Sequence, residues 1–305
     1  MHSDITAKSW LMVVTLGLVW GGTFPVIELA LQEFTPIWLA AGRVVFAALL
    51  TTAIWLAMGG GLFEGTPSRE DHLNLLAIGV MSTALPFMLI SWGQNFVTAG
   101  FAGVSMASVA LMVLPLAHFL VRDERMNLRK TLGFLIGFVG VAVLIGPQAF
   151  ASSGAEGEVA GRLACLAAAA CYAVSSVTMR RLPAINAVGL SAITLLIGSV
   201  FVGTAAMLIE GAPPMPTPRG WILIAILGLI PTAAANLLRV FVIRSAGPTF
   251  MSLTNYQVPL WSVALGVVFL DEPFRASLLL AMVLILAGVA LSQWGALTRL
   301  FAKKS

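Results

Sequence analysis

The chain contains ten apolar runs of about twenty residues, and this feature constrains the fold more than any other. The runs cover residues 9–29, 35–58, 72–92, 97–120, 128–146, 159–180, 186–209, 219–241, 248–270 and 275–296. Each is close to the roughly 20 residues that an α-helix needs to cross the hydrocarbon core of a bilayer. Because lipid offers no hydrogen-bond partner to the backbone, only helices or closed barrels span it, and these runs are too long and too uniformly apolar for barrel strands. The sequence therefore predicts an all-α integral membrane protein with ten transmembrane helices.

Composition excludes several classes of function. Hydrophobic residues make up 59% of the chain and charged residues 10%, whereas soluble domains carry about 25% charged residues. No zinc-protease or phosphate-loop motif occurs, and Cys165 and Cys171 are expected to be packing residues. We therefore expect no catalytic residue, no metal and no cofactor, and a protein that is not an enzyme. The expected partners are a small-molecule substrate and the lipid bilayer, with a monomer as the working unit and no nucleic acid.

The distribution of basic residues predicts the orientation in the membrane. Lysine and arginine are retained on the cytoplasmic side. With the N-terminus in the cytoplasm, that side holds thirteen of the seventeen basic residues, while the opposite side is rich in glutamate. We expect a multi-pass protein of a bacterial inner (plasma) membrane with both termini in the cytoplasm.

Two halves of the chain share short sequence matches, which indicates a duplication. Asp123-Glu124 recurs 148 residues later as Asp271-Glu272, and residues 140–142 recur at the same offset as residues 288–290. Each half has five runs, an odd number, so the second half must insert upside down relative to the first. Inverted repeats of this kind are typical of carriers. The predicted units are residues 1–150 and residues 151–305, although matches among Gly, Ala and Val runs also arise by chance.

Polar and aromatic side chains form stripes at helical spacing on six of the ten runs. Because a polar group that faces lipid is costly, such stripes turn towards the protein interior. We expect them to line the substrate site, and the predicted substrate-binding residues are Trp20, Thr23, Phe24, Ser82, Pro86, Ser105, Ser108, Tyr172, Ser175, Asn236, Asn255 and Tyr256. The alternative for each serine and threonine is a hydrogen bond to its own helix or to a neighbouring helix.

The positions of the charged residues narrow the range of expected substrates. Every acidic residue lies in a connection or near the end of a run, with Glu28 closest to the core, and a charge at mid-membrane costs upwards of about 2.5 kcal/mol. We therefore do not expect strong selection for cationic drugs. Arg43 and Arg239 lie toward the ends of their runs, which disfavours a dianionic sugar phosphate. A neutral or zwitterionic solute with an apolar or aromatic side chain fits best.

Several short motifs together resemble the drug/metabolite transporter superfamily, in particular its ten-helix EamA type. They are residues 20–24 (Trp-Gly-Gly-Thr-Phe), Pro36 followed by Arg43, Pro259 in the ninth run, and Asp271-Glu272-Pro273 before the tenth. Within the superfamily the chain looks most like the YddG-type exporters of aromatic and other amino acids. The resemblance implies two inverted five-helix bundles around a central cavity, lined by the first, third, fourth, sixth, eighth and ninth helices.

The favoured function is secondary transport, with export of small neutral or zwitterionic metabolites such as aromatic and other amino acids by alternating access. One alternative is transport of another metabolite or drug within the same superfamily. A membrane-embedded lipid-modifying enzyme would need paired carboxylates, or a histidine with an aspartate, near one interface. The acidic pairs of this chain lie in connections instead. A non-transporting scaffold is a third possibility, in which changes at Trp20 and Tyr172 would affect folding alone.

Overall fold

The structure is a computed structural model that describes residues 6–121, 125–145 and 157–301. Within those ranges the chain is helical and forms no β-strand beyond one isolated bridge between Phe63 and Ile185. The α-helices are α1 (Ala7–Gly21), α2 (Thr23–Ala30), α3 (Pro36–Ala57), α4 (Arg69–Gly79), α5 (Leu85–Gly93), α6 (Ala99–Leu120), α7 (Leu128–Ile145), α8 (Glu158–Met179), α9 (Ala187–Ile209), α10 (Pro218–Leu227), α11 (Ala235–Ala246), α12 (Pro248–Met251), α13 (Thr254–Leu270), α14 (Ala276–Ser292) and α15 (Trp294–Phe301). A π-helical segment, Val80–Ala84, joins α4 to α5, and another, Gly228–Ala234, joins α10 to α11.

Eight helical stretches in the described part of the chain are long and apolar enough to cross a membrane. They are Ala7–Ala30, Pro36–Ala57, Arg69–Gly93, Ala99–Leu120, Leu128–Ile145, Glu158–Met179, Ala187–Ile209 and Pro218–Ile243. The last two predicted runs correspond to α13 and α14, which have 17 residues each. The protein is therefore a multi-pass helical membrane protein. The expected total of ten spans and their arrangement as inverted repeats are not confirmed by this count and stay predictions.

Some sequence-based expectations fall on residues outside the described ranges. Asp123 and Glu124, which suggested the duplication, are among them, as is the predicted boundary between residues 150 and 151.

Local sequence explains where several helices begin. Ser68 and Asp71 form a reciprocal capping box at the start of α4, and Asn186 accepts hydrogen bonds from the first amides of α9. Thr98 and Thr217 cap α6 and α10 through their hydroxyl oxygens. Each cap satisfies amides that the helix itself leaves unpaired, which stabilises a helix by about 0.5–2 kcal/mol.

Two glutamates from the second half of the chain complete the start of helices in the first half. The Glu210 carboxylate accepts hydrogen bonds from the Ile37 and Trp38 amides at the start of α3, both at 3.0 Å. The Glu272 carboxylate accepts from the Ala99 and Gly100 amides at the start of α6, at 2.5 and 3.0 Å. We call this end of the helix bundle, marked by Glu210 and Glu272, the acidic end. At the acidic end, therefore, the two halves of the chain are held together by charge-assisted hydrogen bonds.

The bundle interior is built from small and branched apolar residues. Leu39, Val104, Leu227 and Ile285 lie fully or almost fully buried in one cluster that joins helices from both halves. A separate cluster around Val13 and Phe250 packs the first half of α1 against α11 and α12. These clusters leave Trp20 and Tyr172 partly buried at their borders, where each contacts two clusters.

Candidate functional site

The π-helical segment Gly228–Ala234 interrupts the long stretch Pro218–Ile243 near its middle. A π-helical turn and an internal proline, here Pro231, both break the regular pattern of backbone hydrogen bonds and free carbonyl groups for other donors. The indole Nε1 of Trp20 donates to the Pro231 carbonyl at 3.0 Å, and the Asn236 amide donates to the Thr232 carbonyl at 2.6 Å. Trp20 therefore reaches this segment from α1, whereas Asn236 contacts it from the next turn of the same helical stretch.

Arg43 reaches the same segment from α3. Its side chain is buried, with a relative exposure of 7%, and its Nε donates to the Thr232 hydroxyl at 2.8 Å. That hydroxyl in turn donates to the Leu227 carbonyl at 2.8 Å. The guanidinium also lies over the ring of Phe87, 4.1 Å from its centroid, and Tyr172 of α8 packs against the apolar cluster that contains Phe87. Residues from α3, α5 and the π-helical segment therefore converge on one buried cation.

The charge of Arg43 has no acidic counterpart among the described residues. Glu272 and Glu210 accept hydrogen bonds at the acidic end, and Glu158 pairs with Arg162 and Arg275. The terminal nitrogens of Arg43 donate to no acceptor in the part of the chain that the structure describes. Ionisable side chains inside a membrane domain are rare and costly and mark functional sites by default. We therefore define the candidate site by Trp20, Arg43, Phe87, Tyr172, Thr232 and Asn236.

Four of the predicted hydroxyl-bearing site residues donate their hydroxyls to backbone carbonyls three or four positions earlier in the chain. Thr23 donates to the Val19 carbonyl, Ser105 to Phe101, Ser108 to Ser105 and Ser175 to Tyr172, at 2.5–3.0 Å. All four side chains are buried. These contacts match the alternative stated for each serine and threonine, a hydrogen bond to the helix backbone. A role of the four residues in substrate binding stays a prediction.

The remaining predicted residues lie in different surroundings. Phe24 is buried, and its carbonyl accepts from Gln94 at 2.9 Å. Ser82 is half-buried inside the other π-helical segment, and Pro86 is buried just beyond it. Asn255 is exposed, whereas the hydroxyl of Tyr256 is buried and has no hydrogen-bond partner in the described part of the chain. Tyr256 therefore has an unused polar group inside the bundle.

The segment Val80–Ala84 makes contacts similar to those of Gly228–Ala234. The Thr83 hydroxyl donates to the Gly79 carbonyl and, at 3.1 Å, to the Thr194 carbonyl of α9. Gly79 and Gly228 both allow close helix approach: a Cβ at Gly79 would lie 2.7 Å from Ile197 Cγ2, and a Cβ at Gly228 would lie 2.5 Å from Phe46 Cβ. Each π-helical segment is thus packed tightly against a helix of the other half.

Two apolar surface grooves occur among the described residues. One, of about 310 Å³, is lined by residues of α13 and α14 and by Phe274. The other, of about 260 Å³, lies between α3, α9 and the start of α10 and is lined by Trp38, Pro213 and Trp221 among others. Neither is lined by any of the twelve predicted site residues, so the expected central cavity stays a prediction.

The candidate site contains residues that the sequence analysis did not select. Arg43 was placed toward the end of its run, and Phe87 and Thr232 were not included in the predicted site. The sequence signal for Arg43 was its position as the one charged residue within the run at 35–58. Its partner, Thr232, lies 189 positions away, and no local pattern indicates that contact.

The EamA-like transporter family matches the sequence twice, over residues 7–146 and residues 159–294. Three relatives are described as uncharacterized transporters. YvbV of Bacillus subtilis is 25% identical over 93% of this chain and 91% of its own length, and YoaV of the same organism is 21% identical over 92% and 95%. The inner membrane transporter YedA of Escherichia coli is 26% identical over 82% of this chain and 79% of its own length.

The fold is also seen in a solved crystal structure. That structure aligns with a TM-score of 0.65 at 21% sequence identity, over 95% of this chain and 98% of the other. At this level of identity the likeness concerns the fold alone.

Proposed function

The chain belongs to the EamA-like transporter family, and we propose that it exports small neutral or zwitterionic metabolites, such as aromatic and other amino acids, as a secondary transporter. Membership of a family of transporters makes it a membrane transporter rather than an enzyme. We also propose that the protein is of the YddG type and that it moves its substrate out of the cell.

We infer that ten helices form two oppositely inserted five-helix units, residues 1–150 and 151–305, with both termini in the cytoplasm. The double family match supports a duplication. The two π-helical segments also support a duplication, because equivalent residues in them are separated by the same distance in sequence. Gly79 and Gly228 are 149 positions apart, as are Thr83 and Thr232. In inverted-repeat carriers, broken helices near the midplane hold the substrate while the two units rock around it.

The single observation that carries the substrate site is the convergence of Trp20, Arg43 and Asn236 on the segment Gly228–Ala234. Aromatic rings supply a surface for an apolar side chain, and the arginine and amide supply polar contacts. Such a mixture suits a small solute with one apolar part and one polar part.

Counterflow of radiolabelled phenylalanine or tryptophan into proteoliposomes tests the proposal. We expect uptake above protein-free vesicles, and we expect Trp20→Ala to abolish it at unchanged expression. The matched control is Trp221→Ala, because Trp221 is 55% exposed. If no amino acid enters above protein-free vesicles, the amino-acid version is wrong and another metabolite or drug must be sought. Equal uptake by Trp20→Ala and wild type would show that Trp20 does not take part in substrate binding.

A further inference from the structure

The unpaired guanidinium of Arg43 points to the chemistry that the candidate site recognises. A buried cation without a buried anion is unfavourable, so the native state either tolerates that cost or gains the anion from a ligand. Glu210 and Glu272 bind backbone amides and Glu158 pairs with other arginines, so none of the three pairs with Arg43. A ligand that carries a carboxylate would supply the missing charge.

The surroundings of Arg43 hold its guanidinium in one orientation. The Thr232 hydroxyl accepts from Nε at 2.8 Å, and the guanidinium carbon lies over the ring of Phe87, 4.1 Å from the ring centroid. These two contacts leave the terminal nitrogens without a protein acceptor among the described residues. Two parallel N–H groups in a fixed plane match the two oxygens of a carboxylate.

A second arginine lies on the helical stretch that carries Thr232. Arg239 lies seven residues after Thr232 on the same helical stretch, about 10 Å along its axis. The Nε of Arg239 is buried and has no hydrogen-bond partner in the described part of the chain. Two guanidinium groups with no acidic residue bound to either disfavour an amine and favour an organic anion or a zwitterion.

We propose that the terminal nitrogens of Arg43 bind the carboxylate of the substrate, so that recognised compounds must carry one free carboxylate. This inference rests on the proposed transport function, but it concerns one chemical group and does not depend on which amino acid is carried. The apolar part of the substrate would lie against Phe87 and Tyr172.

Thermal stabilisation of the purified full chain in detergent tests this inference, because a ligand that binds the folded state raises its apparent stability. The probes are phenylalanine, 3-phenylpropionate, phenylalaninamide and 2-phenylethylamine, which share one aromatic ring and differ in their charged groups. We expect phenylalanine and 3-phenylpropionate, which carry a carboxylate, to bind about tenfold more tightly than phenylalaninamide and 2-phenylethylamine. This is the difference expected when one hydrogen bond to a charged group is lost. Equal binding of all four probes, or no binding of either carboxylate, would overturn the proposal.

Variants separate recognition from a purely structural role. Arg43→Gln is expected to remove the preference for carboxylates, and Arg43→Lys to weaken it while retaining the charge. Arg219→Gln, which changes an exposed arginine at the start of α10, should leave the preference unchanged. Because a structural role would alter binding of all probes equally, a preserved preference in Arg43→Gln would show that Arg43 only supports the fold. If Arg43→Gln does not fold, Thr232→Val serves in its place, since it removes the acceptor of Nε and should reduce carboxylate binding.

Counterflow distinguishes this inference from the proposed function. Transport of phenylalanine that phenylalaninamide inhibits as strongly as phenylalanine itself would preserve the function and reject the carboxylate site. Binding of 3-phenylpropionate that depends on Arg43, without exchange of any amino acid, would preserve the carboxylate site and reject the amino-acid function.

Discussion

The carboxylate of Glu272 accepts a hydrogen bond of 2.5 Å from the amide of Ala99, 173 positions earlier in the chain. The contact replaces a partner that the first turn of α6 lacks. A carboxylate at a helix start is also favoured by the helix dipole. The start of α6 is thus capped in part by a residue from the other half of the protein.

Replacing Glu272 with alanine should lower the thermal stability. The change leaves the Ala99 and Gly100 amides without their acceptor, and a lost cap costs about 0.5–2 kcal/mol. The melting temperature of the detergent-solubilised protein measures the effect. Glu64→Ala, which changes an exposed glutamate in a loop, is the control, and equal melting of the two variants would show that the cap contributes nothing.

Replacing Gly228 with alanine should destabilise the protein by about 1–3 kcal/mol, as overpacking usually does. The new Cβ would lie 2.5 Å from Phe46 Cβ and 2.8 Å from the Arg43 carbonyl oxygen, so α3 would have to move away. Gly203→Ala is the matched control, because no atom lies within 4 Å of a Cβ at that helical position. Melting curves and counterflow should both separate the two variants, and identical results would argue against tight packing at Gly228.

Replacing Ser105 or Ser108 with alanine should change transport less than about twofold. Both hydroxyls are fully buried and donate to carbonyls of their own helix, a contact whose net contribution is about 1 kcal/mol or less. Initial rates of counterflow, normalised to protein in the vesicles, measure the effect. Loss of transport in either variant, with an unchanged melting temperature, would show that the serine takes part in substrate binding.

Replacing Tyr256 with phenylalanine should raise the melting temperature and lower transport. An unpaired buried hydroxyl costs about 1–3 kcal/mol, and Tyr256 has such a group among the described residues. Removing it stabilises the empty protein, whereas a substrate that uses the hydroxyl loses one contact. Unchanged transport would exclude Tyr256 from the substrate site, and a lower melting temperature would reveal a structural partner.

Hydropathy alone predicted the helices well. The run expected at 128–146 is α7, Leu128–Ile145, and the run expected at 159–180 is α8, Glu158–Met179. The agreement has a simple cause: apolar length is set by the thickness of the bilayer. The all-helical membrane class and the resemblance to the EamA type are confirmed, whereas the amino-acid exporter subtype stays a proposal.

The contacts that build the candidate site could not be predicted in the same way. Whether Ser105 points to its own helix or to a ligand depends on a rotamer, which helical spacing does not reveal. The π-helical geometry of Gly228–Ala234 depends on backbone hydrogen bonds, and the contact between Arg43 and Thr232 depends on how two distant helices pack. Such long-range pairings leave no periodic signal in the chain.

The glutamate caps also bear on how the protein is made. Glu210 and Glu272 serve α3 and α6, whereas α9 and α10 begin with their own Asn186 and Thr217. The first half also contributes, because the Glu33 carboxylate accepts a hydrogen bond from the Thr217 hydroxyl at 2.9 Å. During synthesis α3 and α6 leave the ribosome long before either glutamate is translated, so the first amides of these two helices gain their glutamate acceptors only after the second half has been inserted.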